Sequence, residues 1–306
     1  MNIIYTVVVA NYNRLHSNEY YSVWPLKCQF LYCMPRGVSS KAARPTRAPV
    51  NTPKTKEGER MLRPTITAHS GCEGTADGSM AAILRGVELG ADLVEVDVRR
   101  VAGLGLMLSH DAAADPAGLV TLQAAFLEIK KHPDVGINCD LKEYGLAREV
   151  ISLAEDCGLG DGQLSFSGSL TPRQLADDPV IARRARVYLN IEESLCELYR
   201  EKTPTVVPVD ALPWDVVRSF MGGDLAPWVE DLIETCGGLN IRALNLPPRP
   251  FIRPWLHHLG GAGVRISAWT INELDEMREL LAMPWLENLT TRRVALALEA
   301  RAALMQ

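Results

Sequence analysis

The sequence predicts an α/β protein, a (β/α)8 barrel over residues 63–306 behind a disordered N-terminal extension over residues 1–62. Three observations carry this expectation. From residue 63 onward, short runs rich in Val, Ile and Leu alternate with stretches of helical period, which is how repeated βα units read. Several of those runs end in Gly or polar residues, where the C-terminal face of a barrel carries its chemistry. Residues 35–64, in contrast, are dense in Pro, Ser, Thr, Lys and Arg and nearly free of large apolar side chains, so burial there cannot offset the entropy of ordering. With 47% hydrophobic and 23% charged residues, the 306-residue chain has material for one large core. That composition excludes collagen-like, wholly disordered and membrane-embedded classes.

Residues 3–33 hold enough Tyr, Val, Trp and Leu for a strand or two but are too few for an independent domain, so they read as an appendage. The barrel strands are expected at 65–68, 93–98, 135–141, 163–167, 186–191, 239–246, 264–270 and 286–290. Helices are expected at 79–89, 122–131, 147–157 and 272–281. Between residues 192 and 238 the spacing stretches, which predicts extra helices near 214–221 and 228–236.

Charge divides the chain in the same place. Residues 1–60 carry nine Lys and Arg against three Asp and Glu (+6), so the −5 of the whole chain leaves −11 on residues 61–306. An acidic barrel disfavours nucleic acid as a partner and leaves a small molecule as the expected one. The seven cysteines contain no Cys-x-x-Cys pair, which argues against a zinc ribbon or a disulfide framework and for a reducing, cytoplasmic compartment. The apolar residues 1–10 lack a basic lead-in and are too short to cross a bilayer, so no signal peptide or transmembrane segment is expected. Composition says nothing of oligomeric state.

The chemistry concentrates between residues 68 and 111. His69-Ser70-Gly71 follows the first strand, Glu95-Val96-Asp97 lies in the second, and His110-Asp111 follows a further short extended run. Strand side chains repeat with period two, so Glu95 and Asp97 share one face while Val94, Val96 and Val98 pack on the other. Neighbouring carboxylates repel unless a positive charge sits between them, and a divalent metal is the usual solution. Asp140 and Lys142 share a face at the end of the third strand. The expected constellation is three carboxylates, one lysine and two histidines at the ends of three successive strands. Outside it, His16, His132, His257 and His258 read as surface or packing residues, and Cys72 and Cys139 as packing rather than nucleophiles. Asp77 reads as the N-cap of the helix that begins near Ser79.

These motifs resemble the glycerophosphodiester phosphodiesterase family. Its pattern of His-Arg-Gly, a Pro-Glu-Asn-Thr turn, Glu-x-Asp, His-Asp and Glu-x-Lys corresponds here to His69-Ser70-Gly71, Ala76-Asp77-Gly78-Ser79, Glu95-Val96-Asp97, His110-Asp111 and Asp140-Leu141-Lys142. Ser165-Phe166-Ser167, the Ala268 to Asn272 run and Asn288-Leu289-Thr290-Thr291-Arg292 fit further along. The resemblance implies a TIM barrel in which Glu95, Asp97 and Asp140 hold one Mg²⁺ or Ca²⁺, His69 and His110 are the acid/base pair, and Ser70, Lys142 and Trp269 contact substrate. Two imidazoles can exchange general base and general acid roles near neutral pH. Three departures stand out. Ser70 replaces an arginine that would grip phosphate in bidentate fashion, leaving the metal and Lys142 as the expected cations. Asp140 replaces a glutamate. Only about ten residues separate His110 from the next helix, so the subdomain that many members insert there is missing and the site is expected to be open. The implied reaction is metal-dependent hydrolysis of a glycerophosphodiester or related phospholipid headgroup diester. The alternatives are a phospholipase D type or cyclising lyase reaction on a lysophospholipid, and a barrel that binds a phosphorylated ligand without turnover.

Overall fold

A computed structural model describes residues 63–112, 117–160, 162–203, 226–247 and 253–304, with a few single positions between 205 and 216. The extension over residues 1–62, His16 included, lies outside the described residues, as does the expected helix at 214–221 apart from Asp215 and Val216.

Among the described residues the strands are β1 (Thr65–Ala68), β2 (Leu93–Val101), β3 (Gly105–Leu108), β4 (Gly136–Leu141), β5 (Leu164–Gly168), β6 (Arg186–Asn190), β7 (Ala243–Leu246), β8 (Ile266–Ala268) and β9 (Leu286–Thr291). Eight of them are parallel, in the order β1-β9-β8-β7-β6-β5-β4-β2, and the β1–β2 pairing closes the barrel. The short extended run before His110 is β3, which folds back antiparallel on β2 as a hairpin and lengthens β2 to Val101. The strand expected at 239–246 begins only at Ala243, because a turn at Leu239 and Asn240, the latter at φ 54°, ends the preceding helix first.

The helices are α1 (Met80–Leu89), α2 (Leu122–Ile129), α3 (Ala147–Cys157), α4 (Pro172–Asp177), α5 (Val180–Arg184), α6 (Ile191–Lys202), α7 (Ala226–Gly238), α8 (Arg253–Gly261), α9 (Leu274–Leu281) and α10 (Val294–Ala303). None of the described helices is long and apolar enough to cross a membrane. The first is set by its ends. The Ser79 hydroxyl accepts from the Ala82 N–H at 3.2 Å, and Gly90 closes the helix at φ 84°. Ser79, not Asp77, is therefore the N-cap; Asp77 reaches Arg292 instead. Helix α1 packs directly on the strands that carry the site, since a Cβ on Gly86 would lie 2.8 Å from Ala68 Cβ and 2.9 Å from Val94 Cγ1.

Strand alternation sorts the barrel into two environments. Ile66, Val94, Val96, Ile137, Cys139, Phe166, Val187, Leu189, Leu244 and Leu289 are buried in the apolar core that the helices cover. The inner face is polar, with Thr67, Glu95, Asp97, Asn138, Ser165, Ser167, Asn245, Ser267, Asn288 and Thr290 all buried. A buried amide is tolerated only when it is hydrogen-bonded. Asn288 meets this in full: its oxygen accepts from Thr65 and Thr67, and its nitrogen donates to Ser267 and Thr290.

Around Asp92, at the start of β2, the first and last elements of the barrel are tied together. Its Oδ2 accepts from the Ile66 N–H at 2.8 Å and from the Arg301 guanidinium of α10. Arg301 is almost fully buried and also donates to the Pro64 carbonyl at 2.9 Å. Removing one partner of such a pair strands the other charge. Asp92→Ala is expected to cost about 3 kcal/mol in denaturant unfolding, the low end for breaking a buried pair because Asp92 itself is partly solvated. Asp92→Asn, which keeps an acceptor for Ile66 but still strands the Arg301 charge, should cost nearly as much; a much smaller loss would remove the charge pair as the cause.

Candidate active site

Seven of the eight residues singled out from the sequence line one cavity of about 600 Å³ at the C-terminal mouth of the barrel: His69, Glu95, Asp97, His110, Asp140, Lys142 and Trp269. The eighth, Ser70, does not line it. Ser70 is buried, its Oγ accepts from the Gly78 N–H at 2.7 Å, and its own N–H donates to Glu95 Oε2 at 2.9 Å. Position 70 thus braces the turn over residues 70–78 and orients Glu95, while Gly71, at φ 75°, lets the chain reverse there.

The carboxylates come from adjacent parallel strands in matched register, with Asp97 of β2 opposite Asp140 of β4. Glu95, Asp97 and Asp140 each offer an oxygen within 4.8 Å of the others. Such crowding is unfavourable in a buried setting. Burial first, then the charges of Asp97 and Asp140, push the Glu95 carboxyl well above the ordinary range, against the pull of the Ser70 N–H. The Lys142 ammonium sits 2.8 Å from Asp97 Oδ1 and 2.5 Å from Asp140 Oδ2. Burial works to lower its pKa, yet Asp140 and Asp97 together raise it above the ordinary lysine value, so the group stays cationic. The residues fit a hard divalent cation: three carboxylates converge, and an ammonium already occupies their edge as a stand-in charge.

The two histidines are held differently. His69 Nδ1 lies 2.8 Å from the Ser70 carbonyl, which can only accept, so Nδ1 carries the proton and Nε2 carries the lone pair. Burial lowers its pKa, the Ser70 carbonyl works against that, and the Arg292 charge adds to it. His110 is exposed, with Nδ1 2.9 Å from Asp111 Oδ1, an arrangement that likewise directs Nε2 outward. The Arg99 Nε donates to the His110 carbonyl at 2.9 Å and so fixes the backbone of that loop.

Other cavity residues were given no role from the sequence, although Thr290 and Arg292 fall within the Asn288 to Arg292 run noted there. Arg99, Asn190, Asn245 and Thr290 lie on the inner face at strand ends, so the period-two pattern that identified Glu95 and Asp97 could have found them. Glu193, buried on α6, accepts from the Tyr144 hydroxyl at 3.0 Å, a pairing across 49 positions with no local signal. Arg292, just beyond β9, lines the cavity and pairs with Asp77 at 2.7 Å. The expectation that the metal and Lys142 supply all the positive charge is thereby corrected, because the guanidinium groups of Arg99 and Arg292 also line the cavity.

No protein-family model matches this sequence, and no curated protein does. Solved structures match its fold. A glycerophosphodiester phosphodiesterase from Parabacteroides distasonis ATCC 8503 superposes with a TM-score of 0.58 at 14% identity, covering 80% of this chain and 99% of that one. A glycerophosphodiester phosphodiesterase from Agrobacterium tumefaciens str. C58 does so with a TM-score of 0.53 at 16% identity over 78% of this chain and 99% of that one. A phosphodiesterase from Oleispira antarctica, solved with the product sn-glycerol-3-phosphate, gives 0.53 at 17% identity over 78% and 96%. The chain therefore shares the barrel of these enzymes.

Proposed function

We propose that this chain is a metal-dependent phosphodiesterase of the glycerophosphodiester phosphodiesterase family, acting on glycerophosphodiesters or a related phospholipid headgroup diester. The observation that carries the reading is the meeting of Glu95, Asp97, Asp140, His69 and His110 in one cavity at the mouth of this barrel. The likeness of fold to enzymes of that name supports it. Glu95, Asp97 and Asp140 would hold one Mg²⁺ or Ca²⁺, whose chemistry is to neutralise phosphoryl oxygens as a Lewis acid. The chain's own residues do the rest. Lys142 keeps a fixed positive charge beside the carboxylates. His69, held neutral by burial with its lone pair on Nε2, accepts a proton from the attacking water as oxygen bonds to phosphorus. His110, supported by Asp111, gives a proton to the alcohol oxygen as its bond to phosphorus breaks. The products are a phosphomonoester and an alcohol.

Among the described residues Cys72, Cys139, Cys157, Cys196 and Cys236 are free thiols, which supports a reducing, cytoplasmic setting. The cavity's carboxylates support a small metal-bound substrate over a nucleic acid. The test is incubation with glycerophosphocholine and with a lysophospholipid under Mg²⁺, Ca²⁺ or chelator, read by ³¹P NMR. A phosphomonoester that appears only with metal is the expected result. A cyclic phosphate would mean that a substrate hydroxyl replaces water and would make the protein a lyase. Metal-dependent melting with no turnover of either diester would leave a binding barrel and overturn the reading.

A further inference from the structure

The turn over residues 70–79 contains no Lys or Arg to offer an anionic ligand, and the Ser70 hydroxyl accepts from the Gly78 N–H. The neighbouring strand end supplies a cation. Strand β9 runs beside β1 with Thr291 opposite Ala68, and the His69 N–H bonds the Thr291 carbonyl at 2.9 Å. One residue on, the Arg292 carbonyl accepts from the Glu73 N–H at 2.8 Å, and the Arg292 N–H donates to Asn272 Oδ1 at 3.0 Å. The backbone of Arg292 is thus pinned from both sides.

Its guanidinium lies directly on the bare backbone of Gly71. A Cβ there would fall 2.4 Å from Arg292 Nη1 and 2.1 Å from Asp77 Oδ1, so the ion pair occupies the space that any side chain at 71 would need. Asp77 takes one N–H of the fork, through Nη1 at 2.7 Å, and no other side chain among the described residues engages the guanidinium. Arg292 lines the cavity together with His69 and Lys142, and its side chain is 40% exposed. Arg99, the other guanidinium on the wall, is committed to the His110 carbonyl and lies 3.7 Å from Glu143.

We propose that Arg292 is the anion-gripping residue of this cavity: a guanidinium delivered from the last barrel strand and steered over Gly71 by Asp77, which donates to the non-bridging oxygens of a phosphate ester. It serves the role that a side chain at position 70 cannot. The proposal takes its ligand class from the phosphodiesterase reading but not its geometry. One consequence is that Ser70→Arg does not tighten phosphate binding, since the side chain at 70 is buried and points away from the cavity.

The test is titration calorimetry of the full chain in Mg²⁺ with two probes, sn-glycerol 3-phosphate and inorganic phosphate, alongside melting curves. Arg292→Ala is expected to weaken both probes about 10- to 100-fold, the loss of a charged hydrogen bond. Arg292→Lys should recover only part, because an ammonium lacks the planar fork. Added ethylguanidinium should partly restore binding to Arg292→Ala, which a purely structural role would not show. Arg85→Ala removes an equal charge from an exposed site outside the cavity and should leave both affinities unchanged. Affinities within twofold of wild type in Arg292→Ala, or equal losses in Arg85→Ala, would overturn the proposal and leave the Asp77 pair as a brace. A wild type that binds neither probe would overturn it too. Since binding is read without turnover, loss of affinity in Arg292→Ala with no diester hydrolysed by wild type would sink the phosphodiesterase reading and keep this one.

Discussion

Chelator is expected to lower the melting temperature of this protein, and Glu95→Ala, Asp97→Ala and Asp140→Ala are each expected to abolish that response while bringing turnover to background. The cause is charge. Three carboxylates that share one small volume repel each other, and burial worsens the cost for Glu95. A ligand that binds only the folded state stabilises it by mass action, about 2.7 kcal/mol at a hundred times its dissociation constant. The same repulsion makes a second, opposite expectation. In chelator, Glu95→Gln should melt above wild type, because it removes the most strongly disfavoured charge and keeps an acceptor for the Ser70 N–H. Differential scanning fluorimetry in Mg²⁺, in Ca²⁺ and in chelator reads both effects. Three mutants that still respond to metal like wild type would refute the carboxylate site.

His69→Ala and His110→Ala are each expected to reduce turnover of a responsive diester by about 10² to 10⁴, the range for loss of a general acid or base. Stability should change little in His110→Ala, whose side chain is 65% exposed, and somewhat more in His69→Ala, whose side chain is only 20% exposed. The double mutant should lose less than the product of the two single losses if the residues serve one proton-transfer cycle. Steady-state kinetics beside melting curves separate a chemical loss from an unfolded sample. Full activity in either single mutant would remove that histidine from the reaction.

Much of the site could be read in advance because its spacing is a local property. Period two in a strand places Glu95 with Asp97 and Asp140 with Lys142 wherever those strands finally lie, and the apolar Val94, Val96, Ile137 and Cys139 between them show which face meets the helices. The span of helix α1 was legible for the same reason, although its N-cap is Ser79 and not the expected Asp77. Ser70 shows where local reading stops. The resemblance implies a substrate contact at Ser70, yet the chain reverses at Gly71 with positive φ and the Ser70 hydroxyl accepts from the Gly78 N–H instead.

Alternation and helical period are written within a few neighbours, so the barrel, its strand order along the chain and the shared face of its acidic residues are local properties. Every pairing across the closure of that barrel depends instead on the folded whole. Arg292 meets Asp77 across 215 positions, Arg301 meets Asp92 across 209, and Tyr144 meets Glu193 across 49. These contacts depend on β1 lying between β2 and β9 in fixed register. Register is set by the joint packing of all eight strands and their helices, so no short stretch of sequence contains it, and the meeting of Arg292 with Asp77 over Gly71 emerges only once the barrel has closed.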